Sequence, residues 1–237
     1  MSFAAGAGWC AAGLAILVLA GCGASASPAE RQARCFEKHR DDAESISIAV
    51  PGAAWEAAVH RICAEASREA KLPSSGALSE DDAKSIARRH PRVLYPICEE
   101  NAIQERDRAD PGVAKYLPTP MLRRLARHYC DVVMASGLGF DADGLTGADR
   151  NSIARRHPAF LAAFCVAGAN LGYDKERHHV LTRSDLRKVM ARVCVKAVRR
   201  GYIRADGGSN DLAVKALAKN ETLRMIHRGE IHFLSST

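Results

Sequence analysis

The heptapeptide Ser85-Ile86-Ala87-Arg88-Arg89-His90-Pro91 returns unchanged as Ser152-Ile153-Ala154-Arg155-Arg156-His157-Pro158. Cysteines keep the same register. The shift that carries position 85 onto 152 also carries Cys63 onto Cys130 and Cys98 onto Cys165. The spacings Cys63 to Cys98 and Cys130 to Cys165 are equal as well. A degenerate third copy follows: Cys194 comes after Cys130 at nearly the same interval, and DLAVKALAKN at 211–220 stands where the second copy has 149–156. Repetition of this length constrains the fold before local propensity does, because each copy must bury its apolar face against a neighbour.

Each copy reads as helices. Trp55, Ala58, Val59, Ile62, Cys63 and Ala66 fall three and four apart along the chain, the helical period. Residues 121–135 and 184–199 are the counterparts of this opening helix. A cap-rich turn follows, Ser79-Glu80-Asp81-Asp82 or Thr146-Gly147-Ala148-Asp149. A short linking helix then carries Ile-Ala-Arg-Arg-His. Pro91 and Pro158 end it and suit the first turn of a closing helix bearing Leu94, Ile97 and Cys98, or Leu161, Phe164 and Cys165. No segment sustains the alternation of a strand. The expected fold is all-α: a helical repeat array of three disulfide-stapled units of about 65 residues. The expected units run approximately 30–90, 91–157 and 158–237 within a repeat domain of 30–237.

Six cysteines fall inside that domain: Cys35, Cys63, Cys98, Cys130, Cys165 and Cys194. They alternate between closing-type and opening helices, which leaves two symmetric pairings. One joins each closing helix to the next opening helix: Cys35–Cys63, Cys98–Cys130 and Cys165–Cys194. The other pairs Cys63–Cys98 and Cys130–Cys165 and forces Cys35 onto Cys194. The register of Cys98 predicts a third closing helix with Gly229 at that position. No opening helix follows, so the first pairing accounts for the missing cysteine and is the expected one. Metal binding is disfavoured. No two of the six are closer than 28 residues, and zinc sites want close ligand pairs. His60 and His128 sit at different spacings from their cysteines, and no metal or other cofactor is expected.

The N-terminus carries an address. The first charged side chain is Glu30, and residues 11–20 form an apolar run of signal-peptide length. Leu19-Ala20-Gly21-Cys22 follows and resembles the lipobox of bacterial lipoproteins. That resemblance implies a signal peptide at 1–21, cleavage before Cys22, acylation of Cys22, and a tether over 22–29. Several acyl chains hold a protein on a bilayer durably. Two alternatives stay open: cleavage at Ala24-Ser25-Ala26, which gives a secreted soluble protein, and an uncleaved anchor over 3–21. All three export the remainder, to face the periplasm or the cell exterior.

Within the domain, Arg88, Arg89, Arg155 and Arg156 are candidate anion-binding residues, because guanidinium forks suit planar anions. The competing reading places them at helix C-termini, where the helix dipole favours cations without a ligand. His178-His179 beside Asp174 and Glu176 reads as a solvated loop. Asp141-Ala142-Asp143-Gly144 fails as a calcium loop, since its first position is Gly139 and its twelfth Arg150. No nucleophile elbow, zinc-protease motif or phosphate-binding glycine loop occurs. The net charge of +7 suits anionic partners, but aromatics are only 5% of the chain, too few for base stacking. Nucleic acid is therefore disfavoured. The expectation is a non-catalytic binding or scaffolding protein, held on the membrane by its lipid, meeting an anionic envelope component or another envelope protein. The alternatives are a hydrolase-like envelope enzyme with a site assembled from dispersed residues, and a carrier of a small apolar ligand.

Overall fold

The computed structural model describes residues 26–41, 52–136, 146–176 and 179–234. The leader, Cys22, residues 23–25 of the tether, the 141–144 loop and His178 lie outside them. Among the described residues the chain forms nine α-helices and one isolated bridge, Ile203 to Ser209. The first three helices are α1 (Pro28–His39), α2 (Gly52–Arg68) and α3 (Glu80–Arg89). Then come α4 (Tyr95–Ala109), α5 (Thr119–Ser136) and α6 (Gly147–Arg156). The last three are α7 (Ala159–Lys175), α8 (Arg183–Arg199) and α9 (Asp211–His227).

Capping chemistry sets the helix starts. Ser27, Ser79, Thr146, Thr182 and Asn210 each accept a hydrogen bond from a backbone N–H of the first turn. The repeated heptapeptide ends its helix identically in both copies: His90 sits at φ −126°, ψ 65° and His157 at φ −125°, ψ 69°. A proline follows each, and the residue before a proline is driven out of the helical region.

The most extensive helix contacts are α1 with α2, α4 with α5, α7 with α8, and α8 with α9. The first three of these pairs are the ones joined by sulfur. Cys35–Cys63, Cys98–Cys130 and Cys165–Cys194 are the disulfides, with Cα–Cα distances of 5.8, 6.1 and 5.8 Å. The expected pairing is the observed one. Three such bonds belong to a chain that matures in an oxidising, exported compartment. Each hairpin carries its own core. Val59, Ala66 and Ile86 pack around Cys35 and Cys63. Leu117, Leu122 and Ala126 serve the second hairpin, Ala162 and Val198 pack around Cys194 of the third, and Val189, Val193 and Met225 join α8 to α9. Contacts of α2 with α4 and of α5 with α7 chain the hairpins in series. No described helix is long and apolar enough to cross a membrane.

Three features depart from expectation. Pro28 and Ala29, placed in the tether, are the first turn of α1: Ser27 and Glu30 close a capping box and Pro28 occupies the first helical position. A short 3-10 helix, Pro111–Lys115, forms in the connection between α4 and α5, where buried Arg106 donates to the Leu117 carbonyl and to Thr119 Oγ1 at 3.1 Å each. Most telling, the expected third closing helix does not form among the described residues. Thr222 stands where Pro91 and Pro158 stand, so nothing breaks the linking helix. It runs on as α9 to His227 and stops at Gly229, φ +68°, in a Schellman turn closed by Glu230 N–H to Met225 O and Gly229 N–H to Ile226 O, 2.9 Å each.

Candidate functional site

The four arginines of the repeated motif are all exposed at helix ends. Arg89 pairs with Glu69 at the end of α2, and His90 Nε2 lies 3.0 Å from the same carboxylate. Arg89 also donates to the Ser85 hydroxyl, so that hydroxyl meets an arginine rather than His90. Arg156 donates to the backbone carbonyl of Ser152. Arg155 lies over Gly201, where a β-carbon would come within 2.8 Å of its Nη2. The Arg89 hydrogen bond, helped by His90, holds the Glu69 carboxyl below its ordinary range.

In the third copy this corner is built with the charges reversed. Glu221, in the register of His90 and His157, is only 4% exposed. It accepts from Lys196 at 2.5 Å and Arg224 at 2.8 Å, with Arg192 at 3.8 Å. Burial pushes its pKa up, and the two hydrogen bonds more than offset that, so the carboxyl ends below the ordinary glutamate value.

A different set of arginines shapes a cavity. Where α2, α4 and α5 meet, Ala57, Arg61, Arg92, Tyr95, Pro96, Glu99, Arg123 and Arg127 line an open groove of about 460 Å³. Arg61 projects from α2. Arg92 comes from the 3-10 turn Pro91–Leu94, and Glu99 from α4. Arg123 and Arg127, one helical turn apart on α5, converge on Glu99 at 3.5 and 2.5 Å. Glu99 in turn raises the Arg127 pKa. Arg127 also sits over the Tyr95 ring, 5.8 Å from its centroid. The Tyr95 hydroxyl donates to Asp131 at 2.8 Å. Burial and that carboxylate raise its pKa, so it stays a neutral donor, already engaged.

Arg61 and Arg92 differ from the α5 pair. Arg61 donates to the Arg92 carbonyl at 3.0 Å. Among the described residues neither guanidinium has a carboxylate partner. The groove thus holds four guanidinium ions and one carboxylate, a local excess of three positive charges. Open grooves lined by one sign of charge draw counter-ions to themselves.

Sequence reading missed this set, because the residues come from three helices at spacings that do not repeat. A signal existed in the comparison of copies. Carried forward by the shift that superimposes the two heptapeptides, Arg61, Arg92, Tyr95 and Glu99 become His128, Ala159, Ala162 and Val166. α7 has no charged residue before Asp174, whereas α4 carries Glu99, Glu100 and Glu105.

Elsewhere, a polar recess of about 260 Å³ is lined by Tyr202, Arg204, Ser209 and Asn210. His179, of the expected solvated loop, stacks on Tyr173 with ring centroids 3.7 Å apart. Among the described residues no group of three or more His, Cys, Asp or Glu is placed to hold a metal ion. Family models, curated proteins and solved structures all return no match to this chain.

Proposed function

We propose that this is an exported, lipid-anchored, non-catalytic binding module of the bacterial cell envelope, and that the groove between α2, α4 and α5 receives an anionic partner. The observation that carries the reading is the cationic excess of that groove, which the equivalent junction between α5, α7 and α8 does without. The lipobox-like Leu19-Ala20-Gly21-Cys22 and the three disulfides support the location. The four arginines of the groove and the polar lining of the smaller recess favour an anionic partner over an apolar cargo.

Two measurements test the reading. Non-reducing mass mapping of protein purified from membranes reports acylation at Cys22; a Cys22→Ser variant that stays in the membrane fraction counts against the anchor. Retention on a matrix bearing phosphate and carboxylate groups reports the groove. The quadruple variant Arg61→Ala, Arg92→Ala, Arg123→Ala, Arg127→Ala elutes at lower salt while keeping its thermal midpoint. Equal retention of variant and parent overturns the groove assignment.

A further inference from the structure

Resting on that reading, we infer that the groove takes a phosphomonoester, seated as a dianion between Arg61 and Arg92. The charge inventory selects it. Arg123 and Arg127 already share a carboxylate, Glu99, which occupies them as an internal anion. Arg61 and Arg92 carry two further positive charges. Against the groove's excess of three positive charges a carboxylate or a phosphodiester brings one negative charge and leaves an excess of two, whereas a dianion leaves one. A phosphomonoester carries close to two at neutral pH, with three oxygens to share between two guanidinium forks.

The dimensions agree. About 460 Å³ falls within the range of small-molecule sites, so the groove holds the phosphate together with the group that bears it. Ala57 and Pro96 supply the apolar wall for that group. A nucleobase is a poor fit, because Arg127 lies over the Tyr95 ring and the groove has no second aromatic ring. Glu99 acts as a brake: its carboxylate offsets Arg123 and Arg127 and repels the charge of a ligand in the same groove.

Calorimetry on the full-length, disulfide-intact protein in detergent tests this, with glycerol phosphate, inorganic phosphate, dimethyl phosphate and acetate as probes. Glycerol phosphate is expected to bind at least as tightly as inorganic phosphate, and about tenfold or more above dimethyl phosphate and acetate, the worth of one charged hydrogen bond. Arg61→Met and Arg92→Met each weaken it about tenfold with unchanged circular dichroism. Glu99→Gln tightens it about threefold, the scale of an exposed ion pair released, which no merely structural role predicts. A second arm uses protein inserted into vesicles of phosphatidate or of phosphatidylglycerol. If phosphatidate alone blocks glycerol phosphate, the monoester is a lipid headgroup; if neither blocks it, the monoester is a solute. Blocking by both lipids alike makes surface charge the cause and overturns the inference. Equal binding of the four probes overturns the phosphomonoester and leaves the anionic groove standing. No binding of any probe, together with no retention on the anionic matrix, overturns both.

Discussion

The α2–α4–α5 junction and the α5–α7–α8 junction are one piece of architecture built twice with different chemistry. In both, a closing helix packs against the preceding opening helix and is bonded by sulfur to the next. The first junction faces outward with Arg61, Arg92, Glu99, Arg123 and Arg127. At the same register the second has His128, Ala159, Val166, Arg187 and Ala191. There Ala162 is buried and Val166 packs against the cluster of Cys194 and Val198, while Arg187 donates to the side chain of buried Asn170. The second junction keeps one arginine of the four, Arg187, so the repeat does not need Arg61, Arg92 or Arg127 for its packing. What both copies keep is the disulfide, the capped short helix and the His-Pro break.

The sharpest way to break that comparison is through the sulfur. Replacing Cys98 and Cys130 by alanine is expected to cost about 3 kcal/mol in urea unfolding, and so is replacing Cys165 and Cys194, because loops of similar length lose similar chain entropy. The separations are 32 and 29 residues. A gap of more than about 2 kcal/mol between the two variants, several times what such a length difference produces, shows that the junctions are not energetic equivalents.

Next comes the charge-reversed corner. Glu221→Gln leaves Lys196 and Arg224 without their buried carboxylate and is expected to cost about 2 kcal/mol. The Glu221 pKa is depressed, so its contribution is present above the unfolded value near 4.3 and is lost as pH falls through the folded value. The variant therefore shows a shallower loss of stability on acidification below about pH 4.5 than the parent does. An unchanged acid limb removes Glu221 from the account.

A smaller effect lies at the ends of the opening helices. Ala70 and Gly201 share a register, and both take positive φ, +55° and +71°. Ala70→Gly is expected to raise stability by about 1 kcal/mol, and Gly201→Ala to lower it by at least as much, since its β-carbon also meets Arg155. Smallest of all, Arg61→Ala and Arg92→Ala should each move stability by less than about 0.5 kcal/mol, as exposed side chains do. A loss of about 2 kcal/mol there, well outside the range of surface substitutions, makes the groove arginines structural and breaks the comparison at its root.

The fold was legible because three independent signals shared one register: apolar spacing, the Ser-Ile-Ala-Arg-Arg-His-Pro string and the cysteines. Their alternation leaves two pairings, and the glycine at 229 in place of a further cysteine selects the one observed. The array's end departs from the register, because Thr222 in the place of a proline lets the linking helix run on where the repeat alone predicts a break. The groove was illegible for a different reason. A pocket at a helix junction depends on which faces meet, and residues from α2, α4 and α5 share no spacing that a linear chain displays. The arginines conspicuous in the sequence are those that repeat, whereas three of the four groove arginines are replaced in the second copy.

The bond Cys35–Cys63 spans the connection between α1 and α2. A protease that nicks the chain anywhere in 42–51 therefore leaves the N-terminal piece, with any lipid on it, attached to the body until a reductant arrives. The same shielding covers the connections after α4 and after α7. It does not cover 69–79 or 137–145, which no sulfur bridges. Nicks there divide the polypeptide into pieces that separate on a non-reducing denaturing gel, so the cross-links divide the connections of the chain into those whose scission is silent and those whose scission sheds part of the molecule.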